Sequence, residues 1–133
     1  MIVGIGVDVV EVERIAAALE HHGDRFVQRI FTPEEADYCR RSARPPERFA
    51  TRFAAKEAAL KALGVGWRRG LRLLDVMVST DELGAPNIEF AGKVLQRSRR
   101  LGVERVHVSL SHGRTGAVAQ VVLEGRTSEP DHL

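Results

Sequence analysis

At 133 residues the chain has the size of one domain, enough to bury a core but small for an enclosed active site. Its 44% hydrophobic and 29% charged residues describe a globular protein, its apolar runs are too short to cross a bilayer, and the single cysteine, Cys39, permits no internal disulfide. With 20 basic against 18 acidic residues, 5% aromatic content and no helix-turn-helix, zinc or RNA-binding signature, the composition argues against a nucleic-acid binder.

The amino terminus, Met1 to Val9, reads as a buried strand rich in β-branched residues. Alternation puts Val3, Ile5, Val7 and Val9 on one face and Gly4, Gly6 and Asp8 on the other, so one face is nearly bare until it ends in a carboxylate. Glycine inside a strand marks close approach by another backbone or by a ligand. Asp8 then has two readings: the N-cap of a helix beginning near Val10, or a ligand for a hard cation. A helix from Val10 to Glu20 breaks near Gly23, and a short helical stretch covers Asp24 to Ile30. Thr32, Pro33 and Glu35 supply a cap, a first-position proline and a capping-box acid for the next helix, which ends before Pro45.

Pro46 opens a long helix over about Glu47 to Leu63, with Gly64 as its stop. Phe49, Phe53 and Leu60 form its apolar stripe, alanines cover most of the other side, and Lys56 falls inside the stripe. A charge ringed by apolar groups needs a counter-charge or a ligand, unless it snorkels. Glu57 and Lys61 follow at the stripe's border, four residues apart and therefore neighbours on the helix surface.

The second half carries a strand Asp75 to Ser79, a turn at Gly84-Ala85-Pro86, a strand Asn87 to Phe90 and a helix Ala91 to Leu101. Arg105 to Ser111 and Gly116 to Leu123 pair as a hairpin through His112-Gly113-Arg114-Thr115. Its first strand sets Val106, Val108 and Leu110 against His107, Ser109 and Ser111, with His112 where the strand meets its turn. That polar face either meets solvent or supplies hydroxyl and imidazole donors to a bound phosphate. Residues Gly125 to Leu133 show no period and read as a loose tail, leaving one domain over 1–124. Arginines group at Arg40, Arg41, Arg44 and Arg48, at Arg68, Arg69 and Arg72, and at Arg97, Arg99 and Arg100. Each group lies near a helix end or loop, where the macrodipole or an anionic ligand accounts for it. The first ten residues lack the basic start and small-residue cleavage site of a signal peptide, so a cytoplasmic location is expected.

Three segments in order, Gly4-Ile5-Gly6-Val7-Asp8 with Arg14, Phe53-Ala54-Ala55-Lys56-Glu57-Ala58 with Lys61-Ala62, and Val108-Ser109-Leu110-Ser111-His112, resemble the signatures of bacterial holo-acyl-carrier-protein synthases over residues 1 to about 124. Two departures stand out: Val65-Gly66-Trp67 after the long helix, where the family often begins with threonine, and a longer tail. The resemblance implies a small α+β domain, an antiparallel-rich sheet packed with one long helix and shorter ones, assembled as a homotrimer with its clefts between subunits. It implies transfer of the phosphopantetheine arm of coenzyme A to a serine of an apo acyl carrier protein, releasing adenosine 3',5'-bisphosphate. A hydrolytic or non-catalytic relative that binds a nucleotide and magnesium is the alternative.

In that reading Asp8 and Glu57 hold Mg2+, and Asp8, Glu57 and Lys61 carry catalysis. Lys61 and His112 contact the phosphates, with Arg52 and Ser111 beside them, while Lys56 orients the metal carboxylates or the pantetheine arm, or is structural. Arg14, Arg25 and Phe26 grip the acidic carrier. Coenzyme A brings about 3.5 to 4 negative charges, and a like-charge pair at 4 Å costs roughly 4 kcal/mol at an effective dielectric of 20. Two carboxylates therefore tolerate it only with a divalent cation among them. The attacking serine loses its proton either to a water beside the metal or to Glu57.

Overall fold

The computed structural model describes residues 1–65 and 70–126; Gly66, Trp67, Arg68, Arg69 and the tail from Thr127 lie outside them. Strand β1 runs Ile2–Glu11 and helix α1 Val12–His22. The helix begins two residues later than the pattern suggests, because β1 keeps its pairing with the last hairpin strand through Glu11 opposite Gly116. The N-cap is Glu11, without a side-chain cap bond, so Asp8 is a mid-strand residue and not a helix cap. Helices α2 (Asp24–Ile30) and α3 (Pro33–Arg40) follow, and the capping box forms as read: Thr32 Oγ1 accepts from the Glu35 N–H while Glu35 accepts from the Thr32 N–H.

Helix α4 spans Pro45–Ala62, with both prolines in its first turn and Gly64 beyond its end at φ 74°. A 3-10 turn at Leu73–Asp75 leads into the hairpin β2 (Val76–Thr80) and β3 (Pro86–Phe90). Helix α5 (Gly92–Leu101) ends on a left-handed Gly102 and hands over to the hairpin β4 (Val103–His112) and β5 (Gly116–Gly125). Strand β5 outlasts the expected Leu123 because the Gly125 N–H donates to the Met1 carbonyl. The fold is α+β with two antiparallel sheets, ordered β1-β5-β4 and β2-β3.

Helix α4 lies across the three-stranded sheet. Ala54, Ala55, Ala58, Ala59 and Ala62 are all buried, so the alanine side is the face with the tightest contact, not an exposed one. Gly4 and Gly6 explain it: a Cβ on Gly6 would collide with the Ala58 carbonyl and lie 2.6 Å from the Ala62 nitrogen, and one on Gly4 would collide with the Ala62 carbonyl. The glycines admit a backbone, not a ligand.

The alternation of β1 holds, but its faces are reversed relative to the reading of a buried strand. The glycine face packs inward, and the β-branched face is open, with Ile5, Val7 and Val9 57%, 51% and 73% exposed. On the neighbouring strand Val118 extends this apolar surface.

Candidate active site

The inward face of the sheet brings Asp8 beneath α4. Asp8 Oδ1 accepts from Lys61 Nζ at 2.9 Å, and the same ammonium reaches the Val7 carbonyl at 3.2 Å. The spacing explains the pairing: Glu57 and Lys61 are one turn apart on the helix that passes over Gly6 and Asp8. Asp8 and Glu57 line one cavity of about 390 Å³, together with Arg14, Phe26 and Phe53. Two hard oxygen donors converge there from different elements, with a guanidinium at the rim.

These groups fit magnesium. Mg2+ takes one or two carboxylates and completes its octahedron with water and phosphate oxygens. Among the described residues no group of three or more His, Cys, Asp or Glu side chains is arranged to hold a metal.

Lys56 points the other way. It is fully buried, and its ammonium has three acceptors: Glu35 Oε1 at 2.8 Å, the Leu73 carbonyl at 3.0 Å and the Val76 carbonyl at 2.6 Å. Burial pulls this lysine below its ordinary range, opposed by the Glu35 carboxylate. Of the roles left open for Lys56, direct contact with a pantetheine arm does not match this geometry.

Arg52 is also buried, at 2% exposure. Its guanidinium stacks on Tyr38 at 4.0 Å from the ring centroid and donates to Thr80 Oγ1, while its Nε has no partner among the described residues. It lines a separate cavity, with Tyr38, Arg41 and Ser79.

His112 and Ser111 part company. Consecutive strand residues face opposite sides of a sheet, and His112 turns inward with Val106, Val108 and Leu110 while Ser111 joins His107 and Ser109 on the open face. His112 Nδ1 meets Glu47 Oε1 at 3.2 Å in a cavity shared with Ser42, Arg44 and Arg48. Burial works against ionised Glu47, but hydrogen bonds from His112 and Arg44 hold it below the usual carboxylate range. His107 pairs with Glu124 at 2.9 Å on the open face and holds that carboxyl low.

Arg25 and Phe26 border a groove of about 730 Å³ that is also lined by Ile30, Leu71 and Leu73 and by Arg29 and Arg72. Phe26 also lines the Asp8 cavity, so groove and cavity adjoin. The sequence reading omitted Arg29, the roles of Arg44 and Arg48, and above all Glu35. The signal for Glu35 was a buried lysine in need of a counter-charge, but only folding brings a residue 21 positions upstream against it.

A single chain thus splits the expected residues among separate cavities: Asp8, Glu57 and Arg14 in one, His112 in a second, Arg52 in a third. A holo-[acyl-carrier-protein] synthase of Koribacter versatilis is 50% identical over 124 residues, 93% of this chain and 99% of that protein. The structure of such a synthase from Neisseria meningitidis superposes with a TM-score of 0.84 at 35% identity, covering 93% of this chain and 99% of the other. One from Bacillus anthracis, solved in complex with CoA (3',5'-ADP), gives 0.76 at 39% identity over 95% and 99%. Residues 4–121, which hold the glycine strand, the long helix and the final hairpin, match one family throughout, and the chain belongs to the 4'-phosphopantetheinyl transferase superfamily.

Proposed function

We propose that the protein is a holo-[acyl-carrier-protein] synthase: it moves the 4'-phosphopantetheine of coenzyme A onto a serine hydroxyl of an apo acyl carrier protein. The observation that carries this reading is the convergence of Asp8 and Glu57 on one cavity, with Lys61 on Asp8 and Arg14 at the rim. Near-full-length relatives of that name, one of them with the coenzyme bound, support it.

In the reaction the carrier's serine oxygen forms a bond to the pantetheine-side phosphorus of the diphosphate. The bond from that phosphorus to the bridging oxygen breaks, and adenosine 3',5'-bisphosphate leaves with the electron pair. Asp8 and Glu57 would hold Mg2+, which when bound offsets the charge of the diphosphate and of the leaving group. Lys61 is 55% exposed on its side chain, so it can swing from Asp8 to a phosphate oxygen. The serine proton passes to a base at the cavity, Glu57 or a water beside it. Arg14 and Arg25 meet the acidic carrier, and the apolar groove beside Phe26 receives its helix. The cytoplasm is the expected compartment.

We also place the work in a homotrimer. The open β-branched face of β1 offers each chain an apolar surface to bury, and the separation of His112 from Asp8 within one chain calls for a neighbour to complete the phosphate site. In this arrangement His112, Arg44 and Arg48 hold the nucleotide's phosphate from the adjacent subunit. Arg52 and Lys56 take supporting roles, Arg52 by pinning the β2–β3 hairpin through Thr80. Ser111, on the open sheet face, lies toward the subunit boundary.

The deciding experiment incubates the protein with coenzyme A, MgCl2 and an apo carrier. Mass spectrometry should show one added phosphopantetheine on the carrier. Bisphosphate release without a carrier adduct would instead mark a hydrolase.

A further inference from the structure

We propose that Glu35 is a positioning residue for Glu57, acting through Lys56; the inference rests on the reading of Glu57 as a site carboxylate. Glu35 is 3% exposed and joins three elements. Its Oε1 accepts from the Thr32 N–H and from Lys56 Nζ, both at 2.8 Å, and its Oε2 accepts from the Val78 N–H at 2.7 Å. One carboxylate therefore fastens the start of α3, the middle of α4 and strand β2.

The reason this matters for the site lies in how α4 is held. On its sheet side the helix backbone at Ala58 and Ala62 comes down onto Gly6 and Gly4 of β1. That contact fixes the distance between helix and sheet. On the opposite side Lys56 adds a directional restraint on the helix's rotation, its ammonium held by Glu35, the Leu73 carbonyl and the Val76 carbonyl, as Arg52 does one turn earlier through Thr80 and Tyr38. Glu57 is the next residue and Lys61 one turn on, so any roll that loosens Lys56 carries both away from Asp8 by the same angle. Misplacement by about 1 Å costs a positioned reaction on the order of a hundredfold.

The test uses the full chain with Glu35→Gln, Glu35→Asp and Lys56→Met, each assayed where circular dichroism shows it folded. Glu35→Gln keeps the size but loses the charge and presents an NH2 to a site occupied by donors. It is expected to lower kcat at least tenfold, leave KM for coenzyme A and for the apo carrier within about twofold, and weaken Mg2+ binding several-fold by calorimetry with adenosine 3',5'-bisphosphate present. Glu35→Asp, which restores the charge, should recover part of both losses, and Lys56→Met should match Glu35→Gln. A folded Glu35→Gln with unchanged kcat and Mg2+ affinity overturns the proposal. If Glu35→Gln does not fold, the same comparison on Lys56→Met decides, wild-type values overturning it. Full activity of Glu57→Gln would sink the site reading itself, whatever the Glu35 variants do.

Discussion

Lys61 commits its ammonium to Asp8 Oδ1 and the Val7 carbonyl, and Glu57 shares the Asp8 cavity from one turn earlier on α4. Glu57→Gln keeps the shape and removes a carboxylate from this pair. Its kcat should fall at least about a hundredfold, the lower end of what a positioned proton acceptor contributes, and a stopped bisphosphate-release assay would read the loss. Glu47 makes a second residue-scale prediction. Its carboxyl is held below the ordinary 4.5 by His112 and Arg44 against the opposing effect of burial. A carboxyl depressed in the folded state contributes stability that is complete above its unfolded value and is lost as pH falls through the native one. The Tm difference between wild type and Glu47→Gln should therefore stay constant above pH 4.5 and close below it, as a melting series would show.

Among the elements, the contact of β1 with α4 is the most sensitive. Alanine at Gly6 would drive a methyl into the Ala58 carbonyl and the Ala62 nitrogen, backbone atoms of a helix that cannot retreat without moving Glu57. Gly6→Ala should cost about 3 kcal/mol in urea unfolding, the upper part of the range for overpacked sites. Elements with local signals were legible: the capping box on Thr32 and Glu35 formed, Pro46 lies in the first turn of α4, which begins one residue earlier at Pro45, and Gly64 lies just beyond its end. The face of β1 was not, because alternation separates two faces without saying which one the core takes. A helix-facing strand is normally apolar inward; here glycine wins that side because α4 comes closer than any Cβ allows.

For the whole molecule, the open face of Ile5, Val7 and Val9 makes assembly the central expectation. Val9→Asp, at a 73% exposed position, should spare the fold of the single chain. In a homotrimer it places like charges at the joined faces, so light scattering should move from three chains to one and activity should fall with it. The proposed carrier surface at Arg14 and Arg25 gives a separate readout. Reversing charge at Arg14 and Arg25 should raise KM for the carrier about tenfold at low salt and matter less as ionic strength rises.

The residues fixed by local chemistry could be read from the chain alone: a strand with Asp8 on its glycine face, a helix carrying Glu57 and Lys61 one turn apart, a hairpin closing on His112. Those segments also carried the resemblance to the family that comparison with known proteins then showed. Tertiary structure decided what spacing cannot encode. It turned Lys56 away from the cavity onto Glu35, buried Arg52 on Tyr38, set Ser111 and His112 on opposite sides of a sheet and left the β-branched face of β1 open. Each outcome depends on which distant backbone arrives beside a side chain, and a buried charge takes whichever partner the packing delivers.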